Sequence, residues 1–274
     1  MHLTRRVRFS AAHHFAVPWL SPEERERLFG DGARTRGHGH DYTLEATVEG
    51  SVDPRSGMVM NIKEMKARLH GVGLRGIAGR MLNDEVEELS GRTPTLENLL
   101  RVLWARLEHA GWPPGVRLVR LTLREVDELF AEYEGKDDGA MKLTRVYDFC
   151  ASHILHSDAL SEDENRRVFG KCNNPRGHGH NYVFEVTIEG IPNARTGQLV
   201  PLGALDDVVD REVLQPFDHR NLNVELPEFA SENPTAENIA RAIWRRLESK
   251  IPAGALHRVR LIETPRNLAD YFGD

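Results

Sequence analysis

Along 182–188, Tyr182, Phe184, Val186 and Ile188 fall on one face while Glu185 and Thr187 fall on the other, and 42–48 alternates in the same way. A two-residue period predicts a strand in each place, with one face turned to a core. Leu3 to Phe9 and Leu143 to Phe149 carry β-branched and aromatic residues at partly alternating positions and predict two more strands. Thr95 to Leu107 and Thr235 to Leu247 change to a helical period, each behind a threonine cap with a glutamate near the start. Asn61 to Leu69 and Leu202 to Leu214 predict further helices. Ser21-Pro22-Glu23-Glu24 and Ser161-Glu162-Asp163-Glu164 open short ones, with a polar cap and early acids. Two strand pairs close the halves: Val116 to Glu125 with Leu129 to Tyr133, and Leu256 to Glu263 with Leu268 to Phe272.

This is one pattern written twice. Residues 29–50 match 169–190 at 12 of 22 positions, and 93–108 match 233–248 at 9 of 16, both at an offset of 140. Matches of that density at one offset mean duplication. The offset falls to 138 only near the end, where Glu125 and Tyr133 pair with Glu263 and Tyr271. The unpaired stretch 134–140 is charged and contains glycine, as a linker would. Two tandem modules are therefore expected, 1–135 and 142–274. Each runs strand, strand, helix, helix, strand, strand, which predicts an α+β module: an antiparallel four-stranded sheet with two helices on one face.

Composition narrows the class. At 274 residues and 40 % hydrophobic, the chain can bury one large core or two ordinary ones. A net charge of −6 without a long basic run argues against nucleic acid as the main partner. No apolar run approaches membrane-spanning length, and the first residues lack the order of a signal peptide. Two cysteines, Cys150 and Cys172, make no disulfide framework. A cytoplasmic protein is expected.

The chemistry lies in a motif that the repeat carries in both copies: Arg36-Gly37-His38-Gly39-His40-Asp41-Tyr42 and Arg176-Gly177-His178-Gly179-His180-Asn181-Tyr182. A third histidine precedes each at one offset, His13 and His153. Histidines at i and i+2 on a strand share a face, so a third from a neighbouring strand completes three nitrogen ligands. Three ligands with a vacant fourth position describe a catalytic zinc site. Cys150 stands where Ser10 does and reads as a packed strand residue. Trp104 and Trp244, at matching helix positions, read as core.

Module two resembles the 6-pyruvoyl-tetrahydropterin synthase family, which also contains the 6-carboxy-tetrahydropterin synthases of queuosine precursor synthesis. The resemblance rests on Phe149-Cys150-Ala151-Ser152-His153, Cys172-Asn173-Asn174-Pro175-Arg176-Gly177-His178-Gly179-His180, Asp218-His219-Arg220-Asn221-Leu222-Asn223, Pro234-Thr235-Ala236-Glu237-Asn238 and Glu263-Thr264. It implies the tunnelling fold (T-fold), zinc on His153, His178 and His180, and Cys172 as the base that abstracts a proton. It further implies that Asp218 orients His219 as a relay, that Glu263 grips the pterin, and that Glu237 touches substrate. The substrate so implied is 7,8-dihydroneopterin triphosphate, giving a 6-pyruvoyl or 6-carboxy product. The six-residue step from Cys172 to His178 looks more like the pyruvoyl branch.

Module one departs from that pattern. It keeps His13, His38, His40, Glu97 and Glu125, but Gly32 stands at the position of Cys172 and Ala78-Gly79 at that of Asp218-His219. Neither glycine nor alanine moves a proton, and nothing in their spacing recommends His14 or Asp31 as substitutes. A zinc-retaining, catalytically silent copy is expected. In the family, as the resemblance implies, the cysteine and the Asp-His pair of one site come from neighbouring subunits, and three tandem chains would reproduce its hexamer as a homotrimer. The alternatives are a pterin-binding protein without turnover, another zinc T-fold enzyme such as a GTP cyclohydrolase, and a structural zinc protein.

Overall fold

The computed structural model describes every residue except 30–32, 34, 35 and 274. The chain divides into two compact units, 1–144 with 189–203, and 145–188 with 204–274.

The first unit contains β1 (His2–His13), α1 (Pro22–Phe29), β2 (His38–Glu49), α2 (Ile62–Arg68), α3 (Leu96–Glu108), β3 (Arg117–Val126) and β4 (Leu129–Tyr133). Its strands pair antiparallel in chain order, with His2 opposite Glu49 and His13 opposite His38. Alternation puts Phe9 and Ala11 of β1, Tyr42, Leu44 and Ala46 of β2, and Leu121 and Leu123 of β3 on the buried face. Helix α3 packs against β3 and β4 and buries Leu99, Leu100, Leu103 and Leu107. Thr95 caps it, accepting the Asn98 N–H at 3.3 Å.

Strands β1 and β2 run further than their periods predict, to His13 and from His38. Gly39, Ala11 and Ala12 are weak strand formers, but the ladder carries on through them. The histidines therefore stand on the strands themselves.

The second unit repeats the plan: β5 (Met141–His153, whose first four residues belong to the first unit), α4 (Glu162–Phe169), β6 (His178–Gly190, whose last two residues belong to the first unit), α5 (Leu202–Val209, whose first two residues do), α6 (Ala236–Leu247), β7 (Ala255–Thr264) and β8 (Asn267–Tyr271). Strands β5, β6, β7 and β8 are neighbours in that order. Phe149, Tyr182, Phe184, Val186, Ile188, Val259 and Leu261 are buried with Ile239, Ile243 and Leu247 of α6. Two features were not expected. Arg220–Asn221 forms a short parallel pairing with Ala151–Ser152. The helix predicted over 202–214 turns from α to a π turn at Asp210–Leu214, as α2 does at Leu69–Gly73.

The segment 189–203, part of module two by the repeat, packs in the first unit. Thr95 Oγ1 donates to the Gly197 carbonyl at 2.8 Å, and the Leu199 N–H donates to Glu97 Oε1 at 2.8 Å. Arg195 grips Glu24 with two contacts, 2.8 and 2.9 Å, and Gln198 Nε2 donates to the Leu28 carbonyl at 3.1 Å. Trp104 and Trp244 are core, as expected, each edge-on to a tyrosine of the last strand, Tyr133 and Tyr271. Among the described residues no helix is long and apolar enough to cross a membrane.

Candidate active site

At the end of β5 His153 is fully buried, and its Nδ1–H donates to the Pro234 carbonyl at 2.8 Å. That bond fixes the ring and leaves Nε2 to face His178 Nε2 at 3.1 Å. His178 and His180 share a face of β6 with Tyr182, which lies edge-on to the His180 ring at 5.4 Å. Gly177 permits the close approach: its φ is 71°, and a Cβ there would stand 3.1 Å from the His153 carbonyl oxygen. Asn223 then clasps the next residue, accepting the Ile154 N–H at 2.8 Å and donating to its carbonyl at 2.9 Å. Module one repeats each device. His13 donates to the Pro94 carbonyl at 2.9 Å, faces His38 Nε2 at 3.0 Å, and is followed by His14 in the clasp of Asn83.

These clusters suit a cation. Burial lowers the proton affinity of all six histidines, taking His13 down to about 4, and neutral imidazole is the form that binds metal. His40 Nε2 and His180 Nε2 are buried without a hydrogen-bond partner. Nitrogens aimed at one another and left unpartnered are what an ion between them would satisfy. Among the described residues, the groups whose ligand atoms all lie within 4.8 Å of one another are His153, His178 and His180, and His13, His38, His40 and Glu125.

The carboxylates differ between the modules. Glu263 Oε1 is 3.7 Å from both His153 and His180 Nε2, and its other oxygen accepts from Asn267 at 3.3 Å. Glu125 Oε1 is closer, 3.0 Å from His40 Nε2 and 3.4 Å from His13 Nε2, and the Tyr42 hydroxyl donates to it at 3.4 Å. Burial, and next the charge of Glu97, push the Glu125 carboxyl up to about 7. Glu97 is buried on the Leu199 N–H, whereas Glu237 is exposed.

Cys172 is half-buried in the short turn Gly170–Asn173, where its carbonyl accepts the Leu155 N–H at 3.0 Å. Burial first, then Glu263 and then Cys172 raise the proton affinity of the Tyr182 hydroxyl. Asp218 and His219 form a close pair, Oδ2 to Nδ1 at 2.8 Å. Asp218 accepts the Cys150 N–H at 2.8 Å and the His219 N–H donates to the Cys150 carbonyl at 2.6 Å, so the first strand holds both. His219 is 80 % exposed and lines a groove that His180 also borders, together with Cys150, Ser152 and Asn181. Those three alternate with His153 and Tyr182 along their strands and point to the other face of the sheet. Among the described residues no hydrogen bond or ion pair joins Cys172 to Asp218 or His219.

Cys150 corrects an expectation. It is not packed inside: Phe149 and Ala151 take the inward positions, and Cys150 Sγ turns out to donate to Asn181 at 3.2 Å. Gly32 and Asp31 lie outside the described residues. The roles of Tyr42 and Tyr182 and of the Asn83 and Asn223 clasps went unread in the sequence, although each pair recurs at the repeat offset. No feature marks which carboxylate stands near the histidines.

A family model described as 6-pyruvoyl tetrahydropterin synthase matches residues 2–136 and 142–274. The 6-pyruvoyl tetrahydrobiopterin synthase of Homo sapiens is 42 % identical over 133 residues, 48 % of this chain and 92 % of that protein. The dihydroneopterin monophosphate aldolase of Pyrococcus furiosus is 38 % identical over 87 residues, 31 % of this chain and 69 % of that one. The solved 6-pyruvoyl tetrahydropterin synthase of Caenorhabditis elegans has 38 % identity and a TM-score of 0.48, covering 49 % of this chain and 96 % of that one.

Proposed function

This chain belongs to the 6-pyruvoyl tetrahydropterin synthase family, and on that premise we propose that its second module is a zinc-dependent lyase acting on 7,8-dihydroneopterin triphosphate. The observation that carries this is the convergence of His153, His178 and His180 on one point, in the module that also has Cys172, Asp218 and His219. Zinc bound there would polarise an oxygen of the substrate side chain and acidify the neighbouring C–H bonds. Cys172, as thiolate, takes the proton. Asp218 orients His219 through its 2.8 Å contact, and His219 exchanges that proton with the thiol. Glu263 and Glu237 offer carboxylates to the amino and N–H donors of the pterin. Module one holds zinc on His13, His38 and His40 without turnover.

Among the described residues no hydrogen bond or ion pair joins the Asp218–His219 pair, held on Cys150, to Cys172, which supports a site completed by a second copy of the chain. Cys172→Ala and His219→Ala chains, each inactive, should regain activity when mixed and exchanged. An active monomer sinks that arrangement. The product we propose is the 6-pyruvoyl tetrahydropterin with triphosphate eliminated, supported by the Cys172 to His178 step and the named relatives. The aldolase relative supports a second reading, carbon–carbon cleavage of the same side chain.

Mass spectrometry of the products decides. Released triphosphate with a 6-pyruvoyl pterin is the expected result. Acetaldehyde with a 6-carboxy pterin assigns the carboxy branch, a 6-hydroxymethyl pterin with a two-carbon phosphorylated aldehyde assigns the aldolase-type cleavage, and bound but unchanged substrate overturns the lyase.

A further inference from the structure

We propose that Glu125 is the fourth protein ligand of the metal in module one, closing that site and giving it a structural task. This rests on the reading that both histidine clusters hold zinc, and it concerns only what completes the coordination in the copy without a base or a relay.

Distances separate the two modules. With bonds near 2.0–2.1 Å, neighbouring ligand atoms of a tetrahedral zinc lie about 3.3 Å apart. In module one His13 and His38 Nε2 are 3.0 Å apart, and Glu125 Oε1 is 3.0 Å from His40 and 3.4 Å from His13. Glu125 Oε1 therefore occupies a ligand position. In module two Glu263 Oε1 is 3.7 Å from both His153 and His180, and it falls outside the group whose atoms all lie within 4.8 Å of one another.

The tyrosine on the second strand accompanies this difference. Tyr42 donates to the same Glu125 oxygen that approaches the histidines, whereas the buried Tyr182 hydroxyl has no partner. A hydrogen bond to a ligating carboxylate fixes its direction. His13, the His38–His40 pair and Glu125 belong to three adjacent strands, so one ion would join the ends of β1, β2 and β3. Four protein ligands leave no position for substrate, as structural zinc sites require.

The test uses the full chain carrying His153→Ala, so that cobalt(II) enters module one alone. We expect the intense visible bands of a four-coordinate ion, unchanged when azide is added. In the same chain Glu125→Gln should make the spectrum respond to azide and lower metal affinity about tenfold or more, the scale of losing a ligand's support or the ligand itself. If that variant does not fold, Glu125→Asp, one methylene shorter, is read by the same spectra. In the reciprocal chain, with His13→Ala, Glu263→Gln should leave affinity within about threefold, because Glu263 is not a ligand. An azide response already present with Glu125 intact, an unchanged affinity in Glu125→Gln, or no cobalt in module one overturns the proposal. Product formation by the unmodified enzyme is measured separately, so a failure of the lyase reading is told apart from a failure here.

Discussion

Gly79 and His219 hold one backbone position in two modules. Each has a positive φ, 75° and 58°, and each donates its N–H to the first strand, to Ser10 at 2.7 Å and Cys150 at 2.6 Å. Glycine adopts this conformation freely. His219 is the one non-glycine residue with positive φ among those described, and such strain costs about 1–3 kcal/mol. The path of the chain is therefore independent of the imidazole: module one keeps the turn and lacks that ring. Carboxylates differ in the same sense. Glu97 is spent on the Leu199 N–H and Glu125 leans onto the histidines, while Glu237 is exposed and Glu263 stands further off.

The largest expected effect separates the modules by metal. His153→Ala should lose about one ion per chain and bring turnover to background, as removing a ligand of a catalytic zinc does. His13→Ala should also lose one ion and keep turnover. Metal analysis beside an assay of triphosphate release reads both, and equal damage to the rate by the two variants would end the distinction.

Next in size is the loss of a base or its relay. Cys172→Ala should slow turnover by about 10² or more. His219→Gly writes the module-one residue into module two. It should lose a similar factor in rate while gaining about 1 kcal/mol of stability, because glycine relieves the strained turn. A less stable His219→Gly chain by urea titration would contradict the strain argument.

Helix caps give a smaller contrast. Thr235 accepts the Asn238 N–H at 3.4 Å, so Thr235→Ala should cost about 1 kcal/mol. Thr95 caps its helix alike but also donates to the buried Gly197 carbonyl. Thr95→Ala loses the cap and strands that acceptor, about 2 kcal/mol or more. Equal losses in thermal unfolding would mean that the Gly197 bond contributes nothing.

The smallest effect is a slope. Burial, opposed by the Leu199 N–H, raises the Glu97 carboxyl above its ordinary value. The folded state then binds the proton more tightly than the unfolded chain, so stability falls as pH rises from the ordinary carboxylate range through the raised value. Glu97→Gln should flatten that slope. A steeper fall in the variant would reverse the sign assigned to burial.

Much of the fold was legible because its signals are local. Two-residue and helical periods, capping threonines and glycine-bearing turns follow from backbone sterics within a few residues. The histidines at i and i+2 announced a shared face for the same reason. Their strands were read short because Ala11, Ala12 and Gly39 have little strand preference of their own, and the ladder to the partner strand supplies what they lack. The match of Cys150 with Ser10 predicts a packed strand residue, but Phe149 and Ala151 take the inward positions and leave Cys150 on the other face of the strand.

By itself the sequence determined that there are two copies of one α+β plan, that each carries three histidines able to converge, and that only the second carries a cysteine and an Asp-His pair. Tertiary structure decided what stands beside them. Glu97 meets Leu199 102 residues away, Glu125 and Glu263 differ by fractions of an ångström against their histidines, and the Asp218–His219 pair is held on Cys150 of the strand that ends in His153. Such contacts are set by how packed elements meet in space rather than by the conformation of neighbouring residues, so identical motifs in two copies can hold different chemistry.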